Sequence, residues 1–423
     1  MIVLLVSLAI LLVLSVPIAF ALGTASAVYF VVYHPELIPV IPQRLFAGLN
    51  NYALIALPLF LLMGQLMNSS GITHRLIDFC LVFLGRFKGG LGLVNVGSSM
   101  IFGGISGSST SDTASIGSVL IPEMTKRGFP VPFSTGLTVA SSTMGMILPP
   151  SIPIVIFAVT AQESIGRLFL GGIIPGLMVG LFQGCVVLYL GLKNNYPTAE
   201  HHSHGIVKAF LTSLPILVMP MFLVGSVVAG VATATESAGL GVLYALFVGG
   251  FFLGGISRCE LRKALVSAAS TSANILAIIA FSQLFVWVLA LERAPESMSQ
   301  WVNSLNLGPT TFLLIFIGLL IVLGTVLDVS PAILLLTPVF LPAAQSAGVS
   351  PIVFGIVFVG TLAIGACTPP VGTCLNVGSL ISKQPIGAIF KGAFPFLFGN
   401  LLMVLLVAVF PVLVLWLPNL LSD

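Results

Sequence analysis

Glycines and prolines in the first half of this chain return in the second half at a constant spacing of 220 residues. Gly104 is matched by Gly324, Pro122 by Pro342, Gly128 by Gly348, Pro149-Pro150 by Pro369-Pro370, Gly172 by Gly392 and Pro175 by Pro395. Such residues bend or break the backbone, so what repeats is a chain path. Where the surrounding sequence is apolar, a repeated pair of broken segments points to a transport site at the interface of two repeats.

The surrounding sequence is apolar. The 423 residues are 57% hydrophobic and 6% charged, with a mean hydropathy of +1.17, too few charges to cover a soluble domain of this size. Runs long enough to cross a bilayer, at about 20 residues each, fall at 2–33, 52–70, 171–192, 209–230, 233–255, 264–291 and 393–420. Two more, 133–161 and 351–382, are interrupted, and 89–125 and 310–346 read as helical hairpins. The expected fold is therefore an all-α polytopic membrane protein. The run from Met1 lacks a basic start and continues past Pro17 to Tyr33, too long for a cleaved signal, so it reads as a retained first span. A net charge of +3 on scattered charged residues excludes a nucleic-acid footprint. Cys80, Cys185, Cys259, Cys367 and Cys374 lack metal-ligand spacing and read as packing residues.

The long polar loop at 193–208, with His201, His202 and His204, reads as a linker between a first repeat at 1–192 and a second at 209–423. Its histidines have no carboxylate or cysteine company and read as incidental. Basic residues enrich cytoplasmic loops. Arg86, Lys88, Lys126 and Arg127 flank the first hairpin, while no basic residue flanks the second. The first hairpin should enter from the cytoplasm and the second from the periplasm. Five crossings lie between them, and an odd number inverts the second repeat about an axis in the membrane plane. Segments 72–88 and 292–308, also 220 apart, read as interfacial helices, with Trp301 at headgroup depth.

The first hairpin tip reads GGISGSSTSDTASIG from Gly103 to Gly117 and carries seven hydroxyls between Ser106 and Ser115. Carbonyls and hydroxyls at membrane depth must line a protein or water cavity, and such oxygen clusters suit a dehydrating sodium ion. A helix starting near Ser109–Ser111 would aim free N–H groups at a carboxylate. In the second tip, Gly324 to Ala332, Asp328 stands where the register places Ser108. A carboxylate at that depth is costly unless it engages a cation, and sodium is the expected one. After each hairpin a double proline opens a helix, at 142–153 and 363–376, with Gly145 and Gly365 just before the breaks. Tip and break together should form two quasi-equivalent ion sites. Glu236, Asn274, Gln283 and Asn376 are further polar candidates, Glu236 with an adequate explanation in the helix dipole and Asn376 within reach of a substrate.

Two enzymatic readings fail. Gly104-Ile105-Ser106-Gly107 matches the GxSG signature of rhomboid proteases, but no histidine lies in a spanning segment to act as base. No GxxxxGK[ST] motif is present for ATP.

The stretches FGGISGSSTSDTASIGSVLIPEMTKRGFP, TVASSTMGMILPPSIP, GTVLDVSPAILLLTPVFLPAAQSAGVSP and GACTPPVGTCLNVGS resemble the large membrane subunit of a TRAP (tripartite ATP-independent periplasmic) transporter, and the resemblance runs essentially end to end. It implies a sodium-driven elevator of the ion transporter superfamily in the inner membrane, importing an organic acid delivered by a periplasmic binding protein, with a small four-helix membrane subunit as partner. No fused small subunit is expected, because the first span begins at Met1. Carried onto this chain, the resemblance places one sodium site at Ser106, Gly107 and Ser108 with Gly145 and Leu148. A second falls at Gly324 and Asp328 with Gly365, Cys367 and Thr368. The substrate falls near Ser109, Pro150, Pro370 and Asn376. The alternative is a stand-alone sodium–carboxylate symporter of the same superfamily. A non-transporting scaffold would leave the two polar tips unexplained.

Overall fold

The structure, a computed structural model, describes residues 1–199, 206–252 and 255–421, and these contain helices and no strand. The first half folds as α1 (Ile2–Val13), α2 (Ile18–Tyr33), α3 (Ile41–Leu49), α4 (Ala56–Ser69), α5 (Ile72–Leu84), α6 (Gly90–Ser106), α7 (Ser109–Lys126), α8 (Val131–Ser141), α9 (Met144–Ile147), α10 (Ile152–Ala161) and α11 (Ile165–Lys193). The second half gives α12 (Ile206–Val228), α13 (Ala234–Phe251), α14 (Arg258–Leu291), α15 (Ala294–Ser304), α16 (Pro309–Gly324), α17 (Val329–Ser346), α18 (Pro351–Gly365), α19 (Thr373–Ser382), α20 (Ile386–Val409) and α21 (Val412–Leu421). Among the described residues, eight helical stretches are long and apolar enough to cross a membrane.

The two hairpins are α6–α7 and α16–α17, and the two broken helices are α8–α9–α10 and α18–α19. Gly107, at φ 61°, reverses the chain between α6 and α7, a conformation glycine adopts without a Cβ penalty. The breaks fall at the double prolines, which cannot supply the N–H groups that would continue the helix. Both Pro149-Pro150 and Pro369-Pro370 are cis.

Two expected spans are corrected. The run 2–33 is not one helix but a hairpin of α1 and α2, broken between Leu14 and Pro17, because the residue before a proline is driven out of the helical region and Ser15 takes φ 59°. The run 393–420 divides likewise at Pro411 into α20 and α21. Among the cysteines, Cys80, Cys367 and Cys374 are buried as packing residues, whereas Cys185 and Cys259 are exposed. Glu236 closes a capping box with Thr233, so its place at the start of α13 is structural. The linker histidines His201, His202 and His204 lie outside the described residues.

Long-range contacts define two ends of the molecule. At one, Arg75 Nη1 donates to Phe252 O at 2.8 Å, Lys88 Nζ to Asn195 Oδ1 at 3.0 Å and Ala199 N to Gly85 O at 2.9 Å. At the other, Glu292 Oε1 accepts from Tyr29 Oη at 2.7 Å and from the Met1 amino group at 2.9 Å. Followed along the helices, the described basic residues gather at the first end, and Arg44, Arg167 and Arg293 fall at the second.

The halves interlock around the broken helices. Gln183 on α11 donates to Asn400 Oδ1 on α20 at 2.8 Å, and Asn400 donates to Thr143 Oγ1 beside the first break at 2.8 Å. Ser109 at the start of α7 lies 3.0 Å from Cys374 Sγ on α19. Cys367 Sγ, beside the second break, donates to Val139 O on α8 at 3.3 Å.

Candidate functional site

Each hairpin tip is pinned to its own break by one backbone hydrogen bond. Ile152 N donates to Gly107 O at 3.2 Å in the first half, and Val371 N to Thr325 O at 3.2 Å in the second. Small residues make this approach possible. A methyl group on Gly145 would stand 3.3 Å from Gly103 Cα and 3.5 Å from Ser108 O, and one on Gly365 would stand 2.6–2.7 Å from three Gly324 backbone atoms. Ser106, Gly107, Ser108 and Gly145 are thereby brought together, with Leu148 ending α9 on the same break. Gly324 and Gly365 meet in the same way, while Thr368 follows one turn on and its hydroxyl donates back to Ile364 O at 2.8 Å. The Cys367 thiol turns away toward α8.

Between the tips lies a cavity of about 280 Å³, lined by Gly107, Ser108, Ser109 and Thr110 from one tip and by Asp328, Val329 and Ser330 from the other. Thr271, Asn274, Ile275 and Ile278, on one face of α14, close the far wall. Ser108 is the N-cap of α7 and Asp328 the N-cap of α17, and neither side chain makes a capping hydrogen bond. Two helix N-termini therefore open into one cavity; beyond the Val329 N–H, which the Asp328 carboxyl engages, their first-turn N–H groups are unused by side-chain caps. That arrangement favours an anion.

The remaining expected substrate residues are placed differently. Pro150 is buried behind the Gly107 turn, Pro370 is exposed, and neither lines the cavity. Asn376 is exposed and donates to Val371 O at 2.9 Å, bracing the second break rather than facing the cavity. Asn274 does reach the cavity wall, and Gln283 lines a separate cavity.

Sequence reasoning placed the costly carboxylate at Asp328. In the structure Asp328 is exposed to the cavity, and the fully buried carboxylate is Asp112, one turn into α7. Ser99 Oγ donates to Asp112 Oδ1 at 3.4 Å, and Oδ2 has no partner among the described residues. Behind it runs a polar chain between α6 and α8. The Ser141 hydroxyl lies 3.0 Å from both Ser99 Oγ and Asn95 Oδ1, and Asn95 Nδ2 donates to Thr138 Oγ1 at 2.6 Å. Asp112 stands within the hydroxyl-rich tip sequence, so the residue was in view, but its burial depends on partners far along the chain.

Comparisons with known proteins agree with this architecture. The family model of the tripartite ATP-independent periplasmic transporter, DctM component, matches residues 5–413. The C4-dicarboxylate TRAP transporter large permease protein DctM of Pseudomonas aeruginosa is 34% identical over 403 residues, covering 94% of each chain. The sialic acid TRAP transporter large permease protein SiaM of Vibrio cholerae is 33% identical over 409 residues, covering 96% of this chain and 95% of its own. The solved structure of the Alcanivorax borkumensis YdaH transporter shares the fold at a TM-score of 0.63 and 14% identity, over 90% of this chain and 88% of that one. The chain is a transport permease of the inner membrane and not an enzyme. It belongs to the DctM family, the large membrane component of tripartite ATP-independent periplasmic transporters.

Proposed function

We propose that this permease couples sodium entry to the import of a small organic acid by an elevator motion. The observation that carries this reading is the cavity in which two helix N-termini with unused N–H groups meet beside Asp328. The N-termini suit a carboxylate, and Asp328 with the tip and break oxygens suits a cation. A cation bound there would complete the charge balance of a carboxylate in a low-dielectric site. Coupling follows, since neither ion is favoured alone.

In this reading one sodium site draws on Ser106, Gly107, Ser108, Gly145 and Leu148. The other draws on Gly324, Asp328, Gly365, Cys367 and Thr368, with Cys367 contributing through its backbone. Ser109 lies nearest the substrate. Asp112, buried one turn behind the first tip with Oδ2 unpartnered among the described residues, takes its charge only when a cation occupies that site. The repeats span 1–192 and 209–423 and are inverted, with the linker 193–208 and the basic end of the molecule in the cytoplasm. A small four-helix membrane subunit flanks the frame, and a periplasmic binding protein delivers the substrate.

The test is uptake into proteoliposomes holding the permease, its small subunit and its binding protein under imposed gradients. An inward sodium gradient should drive accumulation. Uptake that persists when potassium replaces sodium, or that follows a proton gradient alone, refutes the reading.

A further inference from the structure

We propose that a second cavity, at the end of the molecule opposite the basic loops, is a receiving site for the substrate carboxylate on its way to the hairpin tips; the proposal rests on the organic-acid reading above. The cavity has a volume of about 450 Å³ and lies between α3, α10, α14 and α17. Arg44 is the one ionisable residue among its described lining, and the other polar groups are Asn50, Asn51, Thr160, Gln162 and Gln283. A lone guanidinium among neutral amides in a concave wall attracts carboxylates and can bind them through two parallel hydrogen bonds.

Arg44 is unusual at this end. The other two basic residues there have acids close in sequence, since Arg167 follows Glu163 by four positions and Arg293 lies between Glu292 and Glu296. Glu36, the acid nearest Arg44 in sequence, pairs with His34 at 3.1 Å. The described ion pairs leave all three of these arginines without a carboxylate, and of the three Arg44 is the one in the lining of this cavity. What holds it is Trp287 of α14, whose ring centroid lies 4.8 Å from the guanidinium carbon. That contact fixes the head group over the cavity and leaves its N–H edge for a ligand. Gly48, one turn further along α3, packs so closely on Gln283 that any side chain there would run into it.

The position of the cavity gives it a role. The same helices wall both cavities: α14 turns Asn274 to the tip cavity and Gln283 to this one, α10 turns Ile152 and then Ile156, and α17 turns Ser330 and then Leu334. Nine residues of helix separate Asn274 from Gln283, about 13 Å along the axis. The two cavities therefore lie end to end along one groove. Its walls come half from the hairpin and broken-helix body (α10, α17) and half from elements outside it (α3, α14), so relative motion of the two would open or close the route between the cavities.

The experiment uses the full chain in nanodiscs with Trp301→Phe and Trp416→Phe, which leaves Trp287 as the single tryptophan reporter. Succinate and N-acetylneuraminate are titrated at constant ionic strength without sodium. At least one should change Trp287 fluorescence saturably. Arg44→Gln should weaken the midpoint about tenfold or more, the scale of a lost charge-assisted hydrogen bond, Arg44→Lys should recover part of it, and Asp328→Asn should leave it in place. Gln283→Ala, which keeps Arg44, should weaken the midpoint by less. No saturable change with any probe overturns the receiving site, as does a change that survives Arg44→Gln, or one that requires sodium and vanishes in Asp328→Asn. Sodium-driven uptake without this binding leaves the transport reading standing and removes the receiving site. Binding here beside uptake that ignores sodium does the reverse.

Discussion

The two hairpins follow the same backbone path and are filled with opposite chemistry. Behind the first tip stand Asn95, Ser99, Asp112, Thr138 and Ser141, joined by hydrogen bonds and buried. At the positions 220 residues later the chain has Ile315, Leu319, Ala332, Phe358 and Thr361. There the core is an aromatic stack in which the Phe316 ring lies 4.8 Å from that of Phe354 and 5.3 Å from that of Phe358. The first tip is thus a sealed polar core ending in a buried carboxylate, and the second an apolar core ending in a carboxylate open to the cavity. Backbone symmetry sets where the tips meet, and side-chain asymmetry gives the two tips different environments. The polar core is left one bond short, since Asp112 Oδ2 has no partner among the described residues, whereas the aromatic core has no such open valence.

The largest effects should come where backbone touches backbone. Gly365→Val would drive a side chain into Gly324 and should abolish uptake, and Gly145→Val should do the same against Gly103 and Ser108. Gly318→Ala, with open space around it, should pass unnoticed in the same assay. If Gly365→Val transports normally, the tip and the break do not act as one unit.

Next in size is the contrast between the carboxylates. Asp328→Asn should cut uptake steeply, with partial recovery at high sodium, because it removes charge facing the cavity. Asp112→Asn should also cut uptake, yet it should raise the melting temperature, since an unpaired carboxylate in the interior costs several kcal/mol. A lower melting temperature with uptake intact would make Asp112 a structural residue and erase the distinction.

The cores themselves should differ more quietly. Phe316→Ala empties the centre of the aromatic stack and should cost about 3–5 kcal/mol of stability. Ser141→Ala removes a shared hydroxyl and should cost about 1–3 kcal/mol, the range for stranding buried partners. Thermal unfolding of the two variants checks the order. A costlier Ser141→Ala would show that the polar core is the main brace of the molecule.

Much of the path was legible in the sequence for a physical reason: glycine and proline act locally, so Gly107 and the two double prolines announce the tip and the breaks wherever they occur. The hairpin 89–125 became α6 and α7 within a residue or two of its expected ends, and 310–346 became α16 and α17. Pro17 and Pro411 carried the same local signal, but apolar composition on both sides masked it, and the runs 2–33 and 393–420 were read as unbroken. Partnerships were not legible. Nothing near Asp112 in sequence reveals that Ser99 donates to it and is itself bonded to Ser141, and nothing near Arg44 reveals the Trp287 ring beneath it. The 220-residue register itself drew attention to Asp328 by aligning it with Ser108, while the register partner of Asp112 is Ala332, which signals nothing.

The central claim is that these two unlike hairpins travel as one body past a stationary frame. Spin labels at Ser118 on the first hairpin, Val322 on the second and Leu243 on α13, all exposed, test it directly once Cys185 and Cys259 are replaced. Distances should be measured with sodium and substrate present and with both withdrawn. The account predicts that the Ser118–Val322 distance stays constant while both labels shift by several ångströms or more relative to Leu243. A changing distance between the hairpins, or fixed distances from both to Leu243, would contradict it.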